Sequence, residues 1–220
     1  MFINRIMLKK DSHRNNKFWQ MVNDEYTLHQ AVWDLFGDNP DRKRDFIYRL
    51  ETIGKLSIVY AVSQRRPVDS NGIWDVEVKD YDPKIKSGMR LGFTVRVNPT
   101  RKREGKRHDV VMDLKYKNRL EDSEERKKAS LAELVTETCV DWLKERSKKS
   151  GFDILSVRVD GYRQSRFFKK KDGSSIHYST VDFTGALQVK DEQPFKNTLF
   201  DGLGPEKGFG CGLMLVRKIS

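Results

Sequence analysis

The spacing of apolar residues changes along the first part of the chain and indicates two kinds of element. Residues 1–8 alternate in the manner of a strand. From Leu28 to Phe36 the apolar residues instead recur at i, i+4, i+7 and i+8, which places one buried stripe along a helix. We therefore predict a helix over residues 26–36 that stops at Gly37 and the Asn-Pro pair that follows it.

Three β-rich runs follow this helix. DFIYRLE at 45–51 and KLSIVYAVS at 55–63 predict two strands joined by a turn at Gly54. RLGFTVRVNP at 90–99 predicts another strand, whereas residues 65–89 show no clear period. The first half of the chain therefore has the predicted order β-α-β-β-?-β, in which the second helix is not assigned.

The second half of the chain gives a complete order of six elements. A helix passes through Leu134 and Trp142 and stops at Gly151, and Asp172-Gly173 predicts a tight hairpin turn. The remaining predicted elements are a short helix at 192–200 and strands at 109–114, 154–170, 175–189 and 213–219. This is the β-α-β-β-α-β order of the ferredoxin-like fold.

We predict from these patterns an α+β protein of two tandem ferredoxin-like (βαββαβ, RRM-like) domains. The basic segment TRKREGKRH at 100–108 lies between the two halves and is predicted to be a linker. The N-terminal domain then covers residues 1–99 and the C-terminal domain covers residues 109–220. The fold is shared by many RNA-binding modules, but it does not give a function by itself.

The charge of the chain favours an anionic partner. The formal net charge is +11 over 220 residues, and residues 96–128 and 158–171 each carry a net charge of +5. Clustered lysine and arginine side chains neutralise phosphates, so we expect a nucleic acid. No apolar run approaches the about 20 residues that would span a membrane. The two cysteines have no metal-ligand spacing and indicate a reducing compartment, the cytoplasm.

A glycine-rich segment near the end of the chain is a candidate anion site. Five of the eleven residues from Gly202 to Gly212 are glycine, and Lys207 lies among them. Their spacing matches neither the dinucleotide-binding fingerprint nor the nucleotide-binding phosphate loop. Two interpretations stay open: the backbone amides hold phosphate oxygens, or the segment is a tight connection without a ligand. The candidate RNA contacts are Lys207, Gly204, Gly208 and Gly210.

Tyr26 and His29 are the candidate catalytic pair. They are three residues apart and therefore share a face of the predicted helix. His29 falls at the edge of the buried stripe, where an imidazole can be shielded and still reach a cleft. The residues alone also fit a surface histidine beside an aromatic ring, so the catalytic interpretation needs further support.

The long hairpin of the second half combines charge with aromatic residues. This pattern suits the binding of a nucleic-acid backbone with base stacking. An alternative is that the lysines only protect an exposed sheet edge, but five basic residues in nine exceed that need. The candidate contacts are Arg163, Arg166, Lys169, Lys170 and Lys171, together with Arg158 on the same strand and Arg101 and Arg103 in the basic segment.

The sequence has no recognisable metal or cofactor site. Asp80 and Asp82 are the only close acidic pair in a predicted loop, and metal nucleases use several convergent acids. We therefore predict no metal and no other cofactor.

Two long motifs resemble CasE, the repeat-processing endoribonuclease family of type I-E CRISPR systems. The segment YTLHQAVWDLFGDNPDRKRDF at 26–46 resembles the family's first-helix region. The segment GLGPEKGFGCGL at 202–213 resembles its C-terminal glycine loop, and RVNP at 96–99 is similar to a strand end of the family. The matches lie at the start, middle and end of the chain and therefore cover all of it.

The resemblance implies a fold and an activity. Members of the family have two tandem ferredoxin-like domains and cut precursor CRISPR RNA at the 3′ base of the repeat stem-loop without metal. The products carry a 2′,3′-cyclic phosphate and a 5′-hydroxyl. The enzyme then stays on the guide RNA as a subunit of the Cascade complex. His29 and Tyr26 match the family's catalytic histidine and active-site tyrosine.

We accordingly predict a metal-independent endoribonuclease whose partners are the repeat stem-loop and other Cascade subunits. The free protein is predicted to be a monomer that does not associate with membranes. Whether His29 acts as general acid or general base is left open. The alternative is a non-catalytic RNA-binding subunit of a ribonucleoprotein complex. A nucleotide-dependent enzyme is disfavoured, because the glycine segment lacks the motifs that such enzymes use.

Overall fold

The computed structural model describes residues 1–9, 25–37, 43–53, 56–120, 130–168 and 175–219. In chain order its strands are β1 Phe2–Leu8, β2 Phe46–Ile53, β3 Leu56–Ser63, β4 Trp74–Asp80, β5 Arg90–Val97, β6 Thr100–Arg103, β7 Lys106–Asp109, β8 Phe152–Phe168, β9 Ser175–Val189 and β10 Met214–Lys218. Its α-helices are α1 Glu25–Asp34, α2 Val110–Leu120, α3 Ser130–Lys149 and α4 Glu192–Asp201.

Eight of these ten strands form two four-stranded antiparallel sheets, and β6 and β7 form a separate two-stranded sheet. The first sheet has the order β2-β3-β1-β4, and the second has the order β10-β5-β9-β8. In both sheets the first and third strands of the domain are central, which is the ferredoxin-like arrangement. The predicted fold class is therefore confirmed. Residues 64–73, which connect β3 to β4, contain no helix, so among the described residues of the first domain the covering helix is α1.

The strand at 90–97 belongs to the second sheet, which corrects the predicted boundary between the domains. It pairs with β9 on one side and β10 on the other. The last strand of the first domain is instead β4, which pairs with β1. The sheet order places β4 at the edge, and Trp74, Val76 and Val78 alternate with Asp75, Glu77 and Lys79 along it. The sequence prediction misses this period of two, since it assigns no element to residues 65–89.

Two further local predictions are corrected around residue 109. Residues 100–109 form the small hairpin β6-β7 and not a linker. The run that follows is the helix α2 and not a strand, although Val110 and Val111 favour β structure. The Asp109 side chain accepts hydrogen bonds from the backbone N–H groups of Val111 and Met112, at 2.8 and 3.0 Å. This N-terminal cap supports the helix against the propensity of the two valines.

Each domain has its own core. In the first, Ile6, Val32 and Phe46 lie between the sheet and α1. In the second, Trp142, Phe183 and Phe195 are fully buried between the sheet and its helices. Cys139 belongs to this core, and both cysteines are buried and unpaired. Among the described helices none is both long and apolar enough to cross a membrane.

The two domains are joined by apolar packing and by a shared carboxylate. Ile47 and Val62 of the first sheet pack against Leu213 at the end of the glycine segment. Beside this contact, Asp182 on β9 lies 3.0 Å from Arg96 and 3.4 Å from Arg49 of the first domain. Only 4% of the Arg49 side chain is exposed, so these charges are largely desolvated. The interface therefore holds β2 at a fixed position against the second domain.

Candidate active site

The side chain of His29 projects from α1 into a cleft between the two domains. His29 and Tyr48 line the cleft from the first domain, and Arg163, Tyr178 and Phe209 line it from the second. His29 is half-buried, as expected for a residue at the edge of the helix stripe. The cleft thus brings the predicted catalytic histidine together with the predicted basic hairpin.

A hydrogen-bonded chain connects His29 to the glycine segment. The Nδ1 atom of His29 lies 3.0 Å from the Tyr48 hydroxyl oxygen. The same hydroxyl donates to the carbonyl oxygen of Gly208 at 3.1 Å. Tyr48 is on β2 with only 5% of the residue exposed, so a rigid strand carries the central member of this chain.

Aromatic rings enclose the imidazole on several sides. Phe209 stacks on His29 with ring centroids 4.6 Å apart, and Tyr178 stacks on Phe209 at 5.2 Å. Trp33, one turn further along α1, meets the His29 ring edge-on at 5.8 Å. The ring is thereby held by residues of both domains.

This environment disfavours the charged form of His29. Burial is the main cause, and the nearby Arg44 guanidinium adds to it, so that the pKa of His29 falls from 6.5 to about 4. The imidazole is therefore neutral at physiological pH and can accept a proton.

Tyr26, the other predicted catalytic residue, lies beside His29 on the same face of α1. Their ring centroids are 6.1 Å apart with planes tilted by 42°. The side chain of Tyr26 is half-buried. The structure thus brings Tyr26 and His29 together, as their spacing in the sequence predicts.

The glycines of the C-terminal segment have different environments. A side chain at Gly208 would stand 3.0 Å from the Arg44 guanidinium and 3.9 Å from the His29 ring. At Gly210 it would meet the Tyr48 ring at 3.4 Å, and at Gly204 it would meet Trp142 of the second core at 3.3 Å. Gly208 therefore lies beside Arg44 and His29, Gly210 lines the cleft against the Tyr48 ring, and Gly204 packs against the second core. Their predicted RNA contacts remain predictions.

Lys207 is a half-buried cation at the start of the 3₁₀ turn Lys207–Phe209, whose last residue lines the cleft. Its pKa is lowered mainly by burial, against the attraction of Asp201 and with a further lowering by Arg44. Within the described part of the chain, its ammonium group has no hydrogen bond or ion pair. A side chain placed at Gly212 would stand 3.3 Å from the Lys207 Cγ atom, so the lysine stem lies over the glycine backbone.

The hairpin residues fall into three groups. Arg163 lines the cleft with His29, and Arg166 lines an adjoining pocket that shares Ser165 and Tyr178 with it. Arg158 is further along β8, where it pairs with Asp160 at 2.9 Å. The predicted contacts Lys169, Lys170 and Lys171 and the turn at 172–173 lie outside the described residues.

The basic residues of the β6-β7 hairpin are engaged with neighbouring helices. Arg101 pairs with Glu145 of α3, and Arg103 pairs with Asp113 of α2, each at 2.9 Å. Both pairs are exposed enough to exchange partners at little cost. Their predicted contact with RNA stays a prediction.

Sequence reasoning missed Tyr48 and Phe209. Tyr48 alternates with Phe46 and Leu50 on the core-facing side of β2, and a tyrosine buried at such a position needs a partner for its hydroxyl. The sequence could therefore have indicated that the Tyr48 hydroxyl has a hydrogen-bond partner, but it does not identify that partner. Phe209 is a large apolar residue inside a glycine segment, and its stacking on His29 depends on contact between residues 180 positions apart.

No described group of three or more His, Cys, Asp and Glu residues is placed to hold a metal ion. The chemistry that this cleft offers is proton transfer at His29, with the cationic group of Arg163 in the cleft lining and that of Arg44 close enough to lower the pKa of His29.

The comparison with known protein families agrees with these features. The model of a family of CRISPR-associated proteins matches residues 1–218. The chain belongs to this family. The Cascade subunit CasE of Escherichia coli is 26% identical over 193 residues, which are 87% of this chain and 90% of that protein. The predicted resemblance to CasE is confirmed.

Solved structures of the same family share the fold. The CRISPR endoribonuclease Cse3, in a structure bound to a 19-nucleotide RNA, superposes with a TM-score of 0.74 at 22% identity and covers 99% of this chain and 100% of its own. The CRISPR-associated protein Cas6e of Escherichia coli superposes with a TM-score of 0.63 at 24% identity over all of both chains. At these identities the superpositions show the fold alone.

Proposed function

We propose that this CRISPR-associated protein is an endoribonuclease that cuts precursor CRISPR RNA at the 3′ base of the repeat stem-loop. It then remains on the guide RNA as a Cascade subunit in the cytoplasm. The observation that carries the proposal is the position of His29 in a cleft between the domains, neutral and surrounded by cationic side chains. The similarity to CasE, named as a Cascade subunit, and to Cse3, named as an endoribonuclease, supports it.

The cleft supplies what transesterification of RNA requires. The nucleophile is the 2′-hydroxyl of the RNA itself, so the protein has to align it, move protons and stabilise the charge on the phosphate. His29 transfers the proton. Tyr26, whose ring lies beside the imidazole, orients the 2′-hydroxyl. The products are a 2′,3′-cyclic phosphate and a 5′-hydroxyl, and no water is consumed.

Cations near His29 suit the scissile phosphate and its neighbours. Lys207 has a partly desolvated ammonium group without a partner among the described residues, which strengthens its attraction for a phosphate. Arg163 reaches the same cleft from the long hairpin. Arg158 and Arg166, the other described candidate residues on β8, would contact phosphates of the stem. A double-stranded stem is recognised mainly by its shape and its phosphates.

The direct test is cleavage of the cognate repeat RNA in EDTA by the wild-type protein and by the His29→Ala variant. We expect cleavage by the wild type and loss of at least about 10²-fold in the single-turnover rate for the variant. Wild-type activity that requires Mg²⁺, or a variant as fast as the wild type, would contradict the mechanism.

A repeat RNA with a 2′-deoxy nucleotide at the scissile position separates cleavage from binding. It should bind as tightly as the unmodified RNA and stay uncut, because only the nucleophile is missing. Tight binding of unmodified RNA without a cut under any condition would instead support the non-catalytic RNA-binding subunit, which the same charge pattern would serve.

A further inference from the structure

Two hydrogen bonds meet at the Tyr48 hydroxyl, which has a single proton to donate. One partner is the carbonyl oxygen of Gly208 at 3.1 Å, and the other is the His29 Nδ1 atom at 3.0 Å. A carbonyl oxygen can only accept, so the proton of the hydroxyl points to Gly208. The oxygen of Tyr48 must then accept from His29.

This arrangement determines the tautomer of the imidazole. If Tyr48 accepts from Nδ1, then Nδ1 carries the ring proton, and Nε2 of the neutral ring has a free lone pair. Within the described residues, Nε2 has no hydrogen-bond partner in the protein. The basic nitrogen is thus left for a substrate in the cleft that His29 lines.

We propose that Tyr48 is a positioning residue that, through the Gly208 carbonyl, holds His29 in the Nδ1–H tautomer and makes Nε2 the general base of the reaction. The inference rests on the proposed function and deepens it, since it assigns the direction of proton transfer at His29.

The positions of all three partners are constrained by their surroundings. Tyr48 is buried on β2, and the backbone of Gly210 packs on its ring, where a side chain would stand 3.4 Å away. Gly208 is the middle residue of a short 3₁₀ turn, Lys207–Phe209. The next residue, Phe209, stacks on His29. The glycine segment therefore presents a carbonyl to Tyr48 and a ring to the imidazole from one turn.

The proton balance of the first step follows. The 2′-hydroxyl gives its proton to Nε2 while its oxygen forms a bond to phosphorus. The bond from phosphorus to the 5′ oxygen breaks, and that oxygen receives a proton from the Nε2–H group or from water. During this step Nδ1–H stays bonded to Tyr48, which stabilises the imidazolium as it forms.

The tautomer can be measured on the wild-type protein without RNA. In ¹⁵N-histidine-labelled protein at neutral pH, the two ring nitrogens of His29 should give separate protonated and unprotonated shifts, with the proton on Nδ1. His29→Gln, which lacks the ring, assigns the signals. A dominant Nε2–H tautomer or an equal mixture of both would overturn the proposal, whatever the cleavage rate.

The Tyr48→Phe variant keeps the buried ring and removes only the hydroxyl. We expect the His29 tautomers to become mixed and the single-turnover rate to fall by about 10- to 100-fold, as is typical when the partner that orients a functional histidine is lost. Affinity for the repeat RNA should stay as in the wild type. An unchanged tautomer with an unchanged rate would also overturn the proposal.

Tyr60→Phe is the matched control for this variant. Tyr60 lies on the neighbouring strand β3, opposite Arg49 and on the other face of the sheet, where it packs near Ile47 and Val62. Its hydroxyl is not part of the chain to His29, so both the tautomer and the rate should remain those of the wild type.

Cleavage by His29→Ala and the tautomer of His29 in the wild type test the function of His29 and the role of Tyr48 separately. If His29→Ala cleaves as fast as the wild type while the Nδ1–H tautomer is observed, the proposed function of His29 is wrong and the hydrogen-bonded chain is only structural. If His29→Ala is inactive and the tautomer is mixed in the wild type, the function stands and the role of Tyr48 is wrong.

Discussion

The ring of Phe209 stacks on the imidazole of His29, with centroids 4.6 Å apart and 26° between the planes. The two residues come from different domains, so this stack and the Tyr48 hydrogen bond together place the histidine across the domain interface. The consequence is that the glycine segment is part of the candidate active site through its backbone and its one aromatic residue.

Replacement of Phe209 by alanine should slow cleavage. An aromatic stack is worth about 0.5–1.5 kcal/mol, so we expect the single-turnover rate to fall by about 2- to 10-fold. Loss of the ring also exposes His29, which should raise its pKa from about 4 towards 6.5. An NMR titration of the labelled histidine measures that change. Phe209→Leu keeps an apolar side chain over the imidazole, so the pKa of His29 should rise less in this variant than in Phe209→Ala. The same His29 pKa in the wild type and in Phe209→Ala would contradict the role of the stack.

The dependence of cleavage on pH tests the direction of proton transfer. A general base has to be neutral, so with a pKa near 4 the value of kcat/KM should rise as pH increases through about 4 and level off below neutrality. A general acid with the same pKa would give the opposite slope, with activity falling as pH rises above 4. The kcat/KM profile is the proper measurement because it reports the free protein and not the RNA complex.

Lys207→Ala should weaken RNA binding for electrostatic reasons. Loss of one phosphate contact reduces the slope of log K against log salt by about 1, which titrations at several salt concentrations resolve. Lys86→Ala is the control, because that exposed lysine lies near the far end of β9, beside Gly88, whose N–H bonds to Val189. If both variants bind RNA and cleave it like the wild type, Lys207 does not contact the RNA and the glycine segment has only an architectural role.

Gly204→Ala should destabilise the fold and leave RNA affinity unchanged in the folded protein. The backbone of Gly204 has φ +77°, and a side chain there would stand 3.3 Å from Trp142. The left-handed conformation alone costs a non-glycine residue about 1–2 kcal/mol, and the contact with the core adds to that cost. Urea unfolding gives the free energy of unfolding.

Gly105→Ala separates the two causes for Gly204. Gly105 has nearly the same φ, +78°, but no atom lies within 4 Å of a side chain placed there. Its loss of stability should therefore reflect the backbone alone and be smaller. A Gly204→Ala protein with wild-type stability and reduced RNA affinity would favour the predicted RNA contact over the packing role.

The sequence predicted the repeating architecture and most of its elements because these depend on local patterns. The helical stripe from Leu28 to Phe36, the long strands β8 and β9 and the stop at Gly151 all appear where the apolar periods and the glycine placed them. The spacing of Tyr26 and His29 likewise put both on one helix face. Each of these features is determined within a few turns of the chain.

Only the tertiary structure decided how the domains divide and what surrounds His29. The strand at 90–97 is equally apolar for either sheet, and its pairing with β9 and β10 depends on residues about 90 and 120 positions away. Tyr48, Gly208 and Phe209 become partners of His29 only when β2 and the glycine segment meet at the domain interface. Contacts between distant segments leave no period in the sequence, so a pattern could identify the histidine but not the hydroxyl, carbonyl and ring that surround it.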